Sequence, residues 1–375
     1  MSKSEIFKYL NRFINVCYFG VAVSAIFCFF SNPKDWSATE FFITYQNGFL
    51  KRGLVGSVLY IVNSILKIPA EQFVNGFVVV LIIINLSSIC FLFIHKKLDA
   101  YILFTCSLLL NIYAWHIAFR LDLLLIPLML LQLMILRSIR IRMSIKIYST
   151  SFLLCLGILI HEVYFLISVY IFLYIFYFEL KIKKTPTYLI AFSPPLVLFL
   201  LMITLFKGNA EQAHAILLSW EKLGIAREKL NYLKWLYSLN GPIFIWDNAA
   251  FIKNRFYFIG FFINYMLVCT SFYFYIKHFF KVTLKTKFLL YGNFILIIFL
   301  CFIATDFIRW YYLVFLLVLF YFIFFKKKKD STLNAKYLIL KSSTLFIGLP
   351  MYGWSPTHYY WTAPIKFLID LKDYF

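Results

Sequence analysis

The sequence predicts an all-α, polytopic integral membrane protein, a single membrane domain covering 1–375. Three observations carry this. The chain is 63% hydrophobic with a mean hydropathy of +0.83, and several apolar runs exceed about 18 residues, the length that marks a candidate bilayer crossing. The formal charge of +21 is not spread evenly but falls in short Lys/Arg clusters between those runs. Such clusters mark the cytoplasmic ends of spans. They account for the charge without nucleic acid, which is excluded as a partner. Together the runs and clusters predict about 11 transmembrane helices, one re-entrant or interfacial helix, and one large external loop at 207–255.

Lys3, Lys8 and Arg12 place the N-terminus in the cytoplasm. The first span runs from about Phe13 to Phe30 and lacks a small-residue cleavage site, so it is expected to stay uncleaved. Ser31 to Gly48 forms an external loop with Asp35, Trp36 and Glu40; the two acids could be catalytic carboxylates, but they are not adjacent and are expected to be solvated. A basic pair between glycines follows, Gly48-Phe49-Leu50-Lys51-Arg52-Gly53. Leu54, Val58, Ile61 and Ile65 then repeat at helical spacing in a segment too short to span, which predicts the interfacial helix. The second span covers about Phe73 to Ile94. Two more fit between Lys96-Lys97 and Arg137, with an external turn at Trp115–Asp122 that carries Arg120 and Asp122.

Between Lys146 and Lys181 lie the 34 residues Ile147–Leu180, too many for one crossing and basic at both ends. The chain must enter and leave on one side, as two short helices with His161-Glu162 at the far turn. A carboxylate at membrane depth is costly unless paired or wetted, so Glu162 is a candidate functional residue. A seventh span, about Tyr188–Phe206, contains Pro194-Pro195 and is expected to kink. In the 207–255 loop Ile216, Trp220, Leu223, Ala226, Leu230, Leu233 and Tyr237 step by three and four, predicting one amphipathic helix. The eighth span is about Phe256–Ile276 and the ninth Phe288–Ala304. The latter turns at Asp306-Phe307-Ile308-Arg309 into a tenth that ends at Lys326–Lys329. An eleventh, about Tyr337–Tyr352, precedes an external aromatic tail. Only four acids, Glu5, Asp99, Glu179 and Asp330, then fall on the cytoplasmic side.

All seven cysteines (Cys17, Cys28, Cys90, Cys106, Cys155, Cys269, Cys301) lie in apolar runs without metal-ligand spacing, and read as small buried hydrophobes. A zinc site of the H-E-x-x-H kind is excluded because position 165 is Phe. No cofactor motif is present. The chain has only nine arginines among 37 basic residues, yet Arg52, Arg120 and Arg309 stand at external span ends. Arg offers a planar fork that grips phosphate or carboxylate at two points, which Lys cannot. Three such forks on one face, with Lys51 beside them, suggest a phosphate-bearing substrate. The alternative is that Arg120 pairs with Asp122, and Arg309 with Asp306, to hold tight turns; Arg52 has no acid near it in sequence. His161, Glu162 and Asp122 are the candidate bases or hydroxyl-binding groups.

The glycine-flanked pair Phe49-Leu50-Lys51-Arg52-Gly53-Leu54-Val55-Gly56, the Arg120-Leu121-Asp122 turn, the His161-Glu162 pair and Asp306-Phe307-Ile308-Arg309-Trp310 together resemble polytopic bacterial O-antigen and capsule repeat-unit polymerases (Wzy-type). The sequence departs from the expected pattern at Lys51, where a second Arg would stand. The resemblance implies a glycosyltransferase of the bacterial inner membrane in polysaccharide or lipopolysaccharide biosynthesis. It would join undecaprenyl-diphosphate-linked oligosaccharides at the periplasmic face, with 207–255 as its periplasmic loop. Catalysis would fall to Glu162, His161 and Asp122. The diphosphate would be gripped by Arg52, Arg120, Arg309 and Lys51, with Asp306 in support and no metal or cofactor. Membrane lipid, a flippase and a chain-length regulator are the implied partners. Two other readings stay open: a polyprenyl-phosphate-sugar-dependent glycosyltransferase with Asp35 as its acid, and a lipid-linked oligosaccharide flippase or transporter.

Overall fold

The computed structural model describes residues 5–16, 37–96, 98, 121–225, 230, 233, 266, 269–303, 307–329, 337–338, 351–352 and 359–360. Their regular structure is helical apart from one two-stranded ladder, β1 (Met351–Tyr352) with β2 (Tyr359–Tyr360), and one isolated bridge. The predicted eleventh span therefore gives up its last two residues to a strand. The chain divides into two compact units, one of Met1–Asn32, Ile89–Trp115 and Ile243–Phe375, the other of Pro33–Ser88 and His116–Pro242.

The second unit holds a 3-10 turn at Ser37–Phe42, then α1 (Gly53–Leu66) and most of α2 (Ala70–His95). It continues with α3 (Asp122–Arg137), α4 (Met143–Ile160), α5 (Val163–Tyr174) with a π turn at Ile175–Glu179, α6 (Thr185–Thr204) and α7 (Ala210–Glu221). Among the described residues three helices are long and apolar enough to cross a membrane: α2, α4 and α6. The helical class matches the sequence reading, and these three helices fall where its second, fifth and seventh spans are expected. The spans expected at Phe13–Phe30 and across 99–120 lie outside the described residues.

α1 forms where helical spacing predicts it, but the spacing marks its outer face. Val58, Ile61 and Ile65 are exposed, while Gly53, Val55, Gly56, Leu59 and Asn63 are buried. In a membrane setting an outward apolar stripe meets lipid, and the inner face is free to carry small and polar groups. The small residues have a use. A Cβ on Gly56 would collide with the carbonyl oxygens of Ile43 and Phe41, and one on Gly53 with the Tyr45 ring. Ser57 Oγ accepts the Tyr45 N–H at 2.7 Å and donates to Gly53 O at 2.7 Å. The stretch Gly53-x-x-Gly56-Ser57 is thus a docking face for the backbone of 41–45, and it draws the first loop down onto α1.

α4 breaks at His161, whose φ of −156° and ψ of 118° are extended, and α5 restarts at Val163. α6 packs along α4, and their C-terminal ends meet where Ile158 and Met202 share a cluster with Phe165. α5 and its π turn must therefore carry the chain back before α6 begins, as the expected hairpin requires. Tyr164 closes on Gly157, where a Cβ would strike its ring. Its hydroxyl donates to Gln132 Oε1 at 2.9 Å, and Gln132 Nε2 donates to Thr150 O at 3.3 Å. Pro194 and Pro195 lie inside α6.

The amphipathic helix expected from Ile216 to Tyr237 is interrupted. α7 ends at Glu221, the chain turns through Lys222–Ile225, and Gly224 takes φ +86°. Periodicity alone missed this because Leu223 and Leu230 keep the step across the turn. Glycine supplies the left-handed residue that commonly stops a helix. Asn209 and Gln212 form a capping box at its start. Trp220, fully buried, donates to Phe42 O at 2.7 Å and packs edge-on against Phe42 and Tyr60.

In the other unit α8 (Leu284–Ile303) packs on α9 (Phe307–Phe325), as expected for the ninth and tenth spans. Their turn at 304–306 lies outside the described residues.

Candidate functional site

Arg52 stands at the start of α1 in the left-handed region, φ 63° and ψ 8°. A non-glycine residue is held there at a cost of about 1–2 kcal/mol, and such strain gathers at functional sites. Its side chain shows what offsets the cost. Nε donates to Glu162 Oε2 at 2.9 Å and Nη2 to Glu162 Oε1 at 2.7 Å, the two-point fork that suits Arg and carboxylate. Nη1 donates to Glu40 Oε1 at 3.1 Å. Glu40 Oε2 in turn accepts the backbone N–H of Leu121 at 3.3 Å, just before Asp122 opens α3. One guanidinium thereby ties together the first loop, α1, the start of α3 and the α4–α5 break.

His161 lies between the acids. Its Nε2 is 4.0 Å from Asp122 Oδ1 and its Nδ1 is 3.5 Å from Glu162 Oε2. The Val163 N–H also points at Nδ1, at 3.3 Å. An unprotonated Nδ1 accepts the Val163 N–H. The relative exposures are 0% for His161, 3% for Asp122, 5% for Glu40 and 8% for Glu162, so the cluster is sheltered from bulk water.

Burial pushes the Glu162 carboxyl up, but the charge and hydrogen bonds of Arg52, aided by His161 and Lys51, hold it well below the usual carboxylate range. For Arg52 burial works against the charge, yet Glu162, Glu40 and Asp122 outweigh it and keep the guanidinium protonated. Lys51 differs. Burial lowers its pKa, Glu162 opposes this, and Arg52 and Lys207 add to the lowering. Its backbone N–H donates to Phe206 O at 2.8 Å, which places it beside the exit of α6.

The structure therefore brings together Lys51, Arg52, Asp122, His161 and Glu162, all singled out in the sequence. It corrects two expectations. Glu40 is buried and ion-paired instead of solvated. Arg52 has two acid partners, so its fork is already filled by Glu162 and is not open to a phosphate. Sequence reasoning singled out Glu40 only as a loop acid and missed its pairing with Arg52, which lies twelve positions away with a chain reversal between. The signal that could have found it is the Gly53/Gly56/Ser57 spacing, which marks a helix face built for backbone approach. Arg120, Asp306 and Asp35 lie outside the described residues; Arg309 is in α9 of the other unit. Among the described residues no cluster of His, Cys, Asp and Glu suits a metal ion.

No family model, no curated protein and no solved structure matches the chain.

Proposed function

We propose that the chain is a membrane glycosyltransferase that polymerises undecaprenyl-diphosphate-linked oligosaccharides at the periplasmic face of a bacterial inner membrane. The observation that carries this reading is the buried charge cluster itself. Lys51, Arg52, Asp122, His161 and Glu162 come from three separate stretches of chain and converge. Buried ionisable groups in an apolar bundle are expensive and mark functional sites.

The chemistry divides among them. The acceptor hydroxyl attacks the anomeric carbon of the donor sugar, the bond to the diphosphate breaks, and the lipid diphosphate leaves as an anion. Glu162, held ionised by Arg52, is a weak base and serves to orient the acceptor and His161. His161, backed by Asp122, receives the hydroxyl proton. Lys51, with Lys207 near it, faces the diphosphate and stabilises the leaving charge. Arg52 holds the carboxylates in place.

The polyprenyl-phosphate-sugar reading gains from one observation, that an acid of the first loop joins the cluster; Glu40 replaces Asp35 as its candidate. The purified chain in lipid decides between them. With a diphosphate-linked repeat unit alone, the polymerase reading expects a ladder of products, reduced at least tenfold in His161→Ala and Lys51→Ala. Single-sugar addition that requires a polyprenyl-phosphate sugar would favour the second reading. Transbilayer movement of the lipid without new glycosidic bonds would favour a flippase.

A further inference from the structure

The other unit holds a surface that the proposed chemistry does not use. Two loops, one after the helical stretch 269–279 and one after α9, are tied to each other. Phe280 and Lys328 form an antiparallel bridge, the Lys329 N–H donates to Phe279 O at 2.7 Å, and Lys329 Nζ donates to Lys277 O at 3.1 Å. On the first loop Thr283 and Thr286 cap the start of α8 reciprocally, with Thr283 N donating to Thr286 Oγ1 at 2.7 Å. The platform beneath is aromatic. Phe280 packs on Phe322 with ring centres 5.5 Å apart, and His278 stacks on Tyr337 at 4.1 Å.

The clip gathers eight lysines, Lys277, Lys281, Lys285, Lys287 and Lys326–Lys329, and no acid lies within 277–287 or 326–329. The next acid in sequence, Asp330, is outside the described residues. Lys277, Lys281, Lys285 and Lys327–Lys329 are exposed. Lys328 lies over the Phe279 ring at 5.6 Å and Lys326 over Tyr321 at 5.6 Å. Orienting a span needs only charge in a loop. It does not need two loops bonded to one another and set on a ring platform.

We propose that this clipped pair of loops is a binding site for the headgroup of an anionic phospholipid, its phosphate held among Lys281, Lys327 and Lys328 at the membrane surface. Lysine clusters flanking transmembrane helices attract such lipids, by a factor of roughly five per lysine. The aromatic platform suits the interfacial depth at which headgroups sit.

The test uses the full chain in mixed micelles of phosphatidylcholine and phosphatidylglycerol, with retained lipid counted by native mass spectrometry. The variant K281Q/K327Q/K328Q is compared with K181Q/K183Q/K184Q, which removes three exposed lysines from the loop before α6. The expected result is about a hundredfold weaker phosphatidylglycerol retention in the first variant and little change in the second. Equal losses from both, or no loss from the first, would overturn the proposal and leave simple surface attraction. Cysteine labelling checks that each variant keeps its orientation. Should the triple variant invert, the single variants K281Q and K327Q, each expected to lose roughly fivefold, carry the same comparison.

Discussion

At the start of α1, cations are buried against carboxylates; at the end of α9, Lys327–Lys329 are exposed and stand in a run of lysines. Arg52 meets Glu40 and Glu162 in a sheltered cluster, whereas Lys326–Lys329 lie in loops that contain no acid up to Asp330. The two regions follow different physics. Exposed lysines interact through water and salt, and removing one matters little to the stability of the fold. A buried guanidinium is a structural commitment, since its partners cannot be left without it. The chain's choice of Arg in one place and Lys in the other follows from this, because only Arg satisfies two carboxylates from a fixed plane.

The sharpest way to break the comparison is to remove the buried cation. Arg52→Ala leaves Glu40 and Glu162 facing each other in a sheltered site, and losing one partner of a buried pair costs about 3–5 kcal/mol. Folded protein in the membrane should fall severely, read as abundance and as the melting point in detergent. Arg52→Met combined with Glu40→Gln and Glu162→Gln removes the charges together. It should restore abundance while product formation stays lost. If Arg52→Ala alone leaves abundance unchanged, the cluster does not hold the fold.

A second, smaller effect tests why the cluster forms. Gly56→Ala pushes a methyl into the carbonyls of Phe41 and Ile43, and Gly157→Ala into the Tyr164 ring. Overpacking of this kind costs about 1–3 kcal/mol. Gly56→Ala should also move the first loop, and with it Glu40, away from Arg52. Cross-linking between cysteines placed at 42 and 60 should weaken in Gly56→Ala and persist in Gly157→Ala. Smaller again is Tyr164→Phe, which removes the hydroxyl bonded to Gln132 and should lower stability by about 1 kcal/mol.

These variants also show where the sequence was legible. The helical class, the long apolar helices and the break at His161-Glu162 could be read from run lengths and basic flanks. Those are local properties, fixed by the membrane's thickness and charge asymmetry. The convergence on Lys51, Arg52, Asp122, His161 and Glu162 was legible in kind, because ionisable residues at helix ends in an apolar chain stand out. What could not be read was which acid each cation takes. That depends on how the 41–45 backbone seats on Gly56, a contact between segments with no residue-type signature beyond small size. The stop at Gly224 was missed for a related reason, since hydrophobic period survives a turn that happens to keep phase.

The smallest expected effect is none at all, and its location is informative. Glu162 has a folded-state pKa below that of the unfolded chain, because Arg52, His161 and Lys51 outweigh its burial. A depressed carboxyl contributes stability that is present above its unfolded value, near pH 4, and is lost as pH falls through the folded value. Across about pH 6 to 8, where Glu162 is ionised in both states, its contribution should not change. The part of the melting point that Glu162 contributes should then be lost only on the acid side of about pH 4. Glu162→Gln removes the titrating group while leaving Glu40, Asp122, Lys51 and His161 to face Arg52. Its melting point should start lower at neutral pH and show a shallower acid limb, so that the two curves converge as pH falls. Parallel curves down the acid limb would mean that Glu162 is not held by Arg52, and that the cluster is assembled by the other acids.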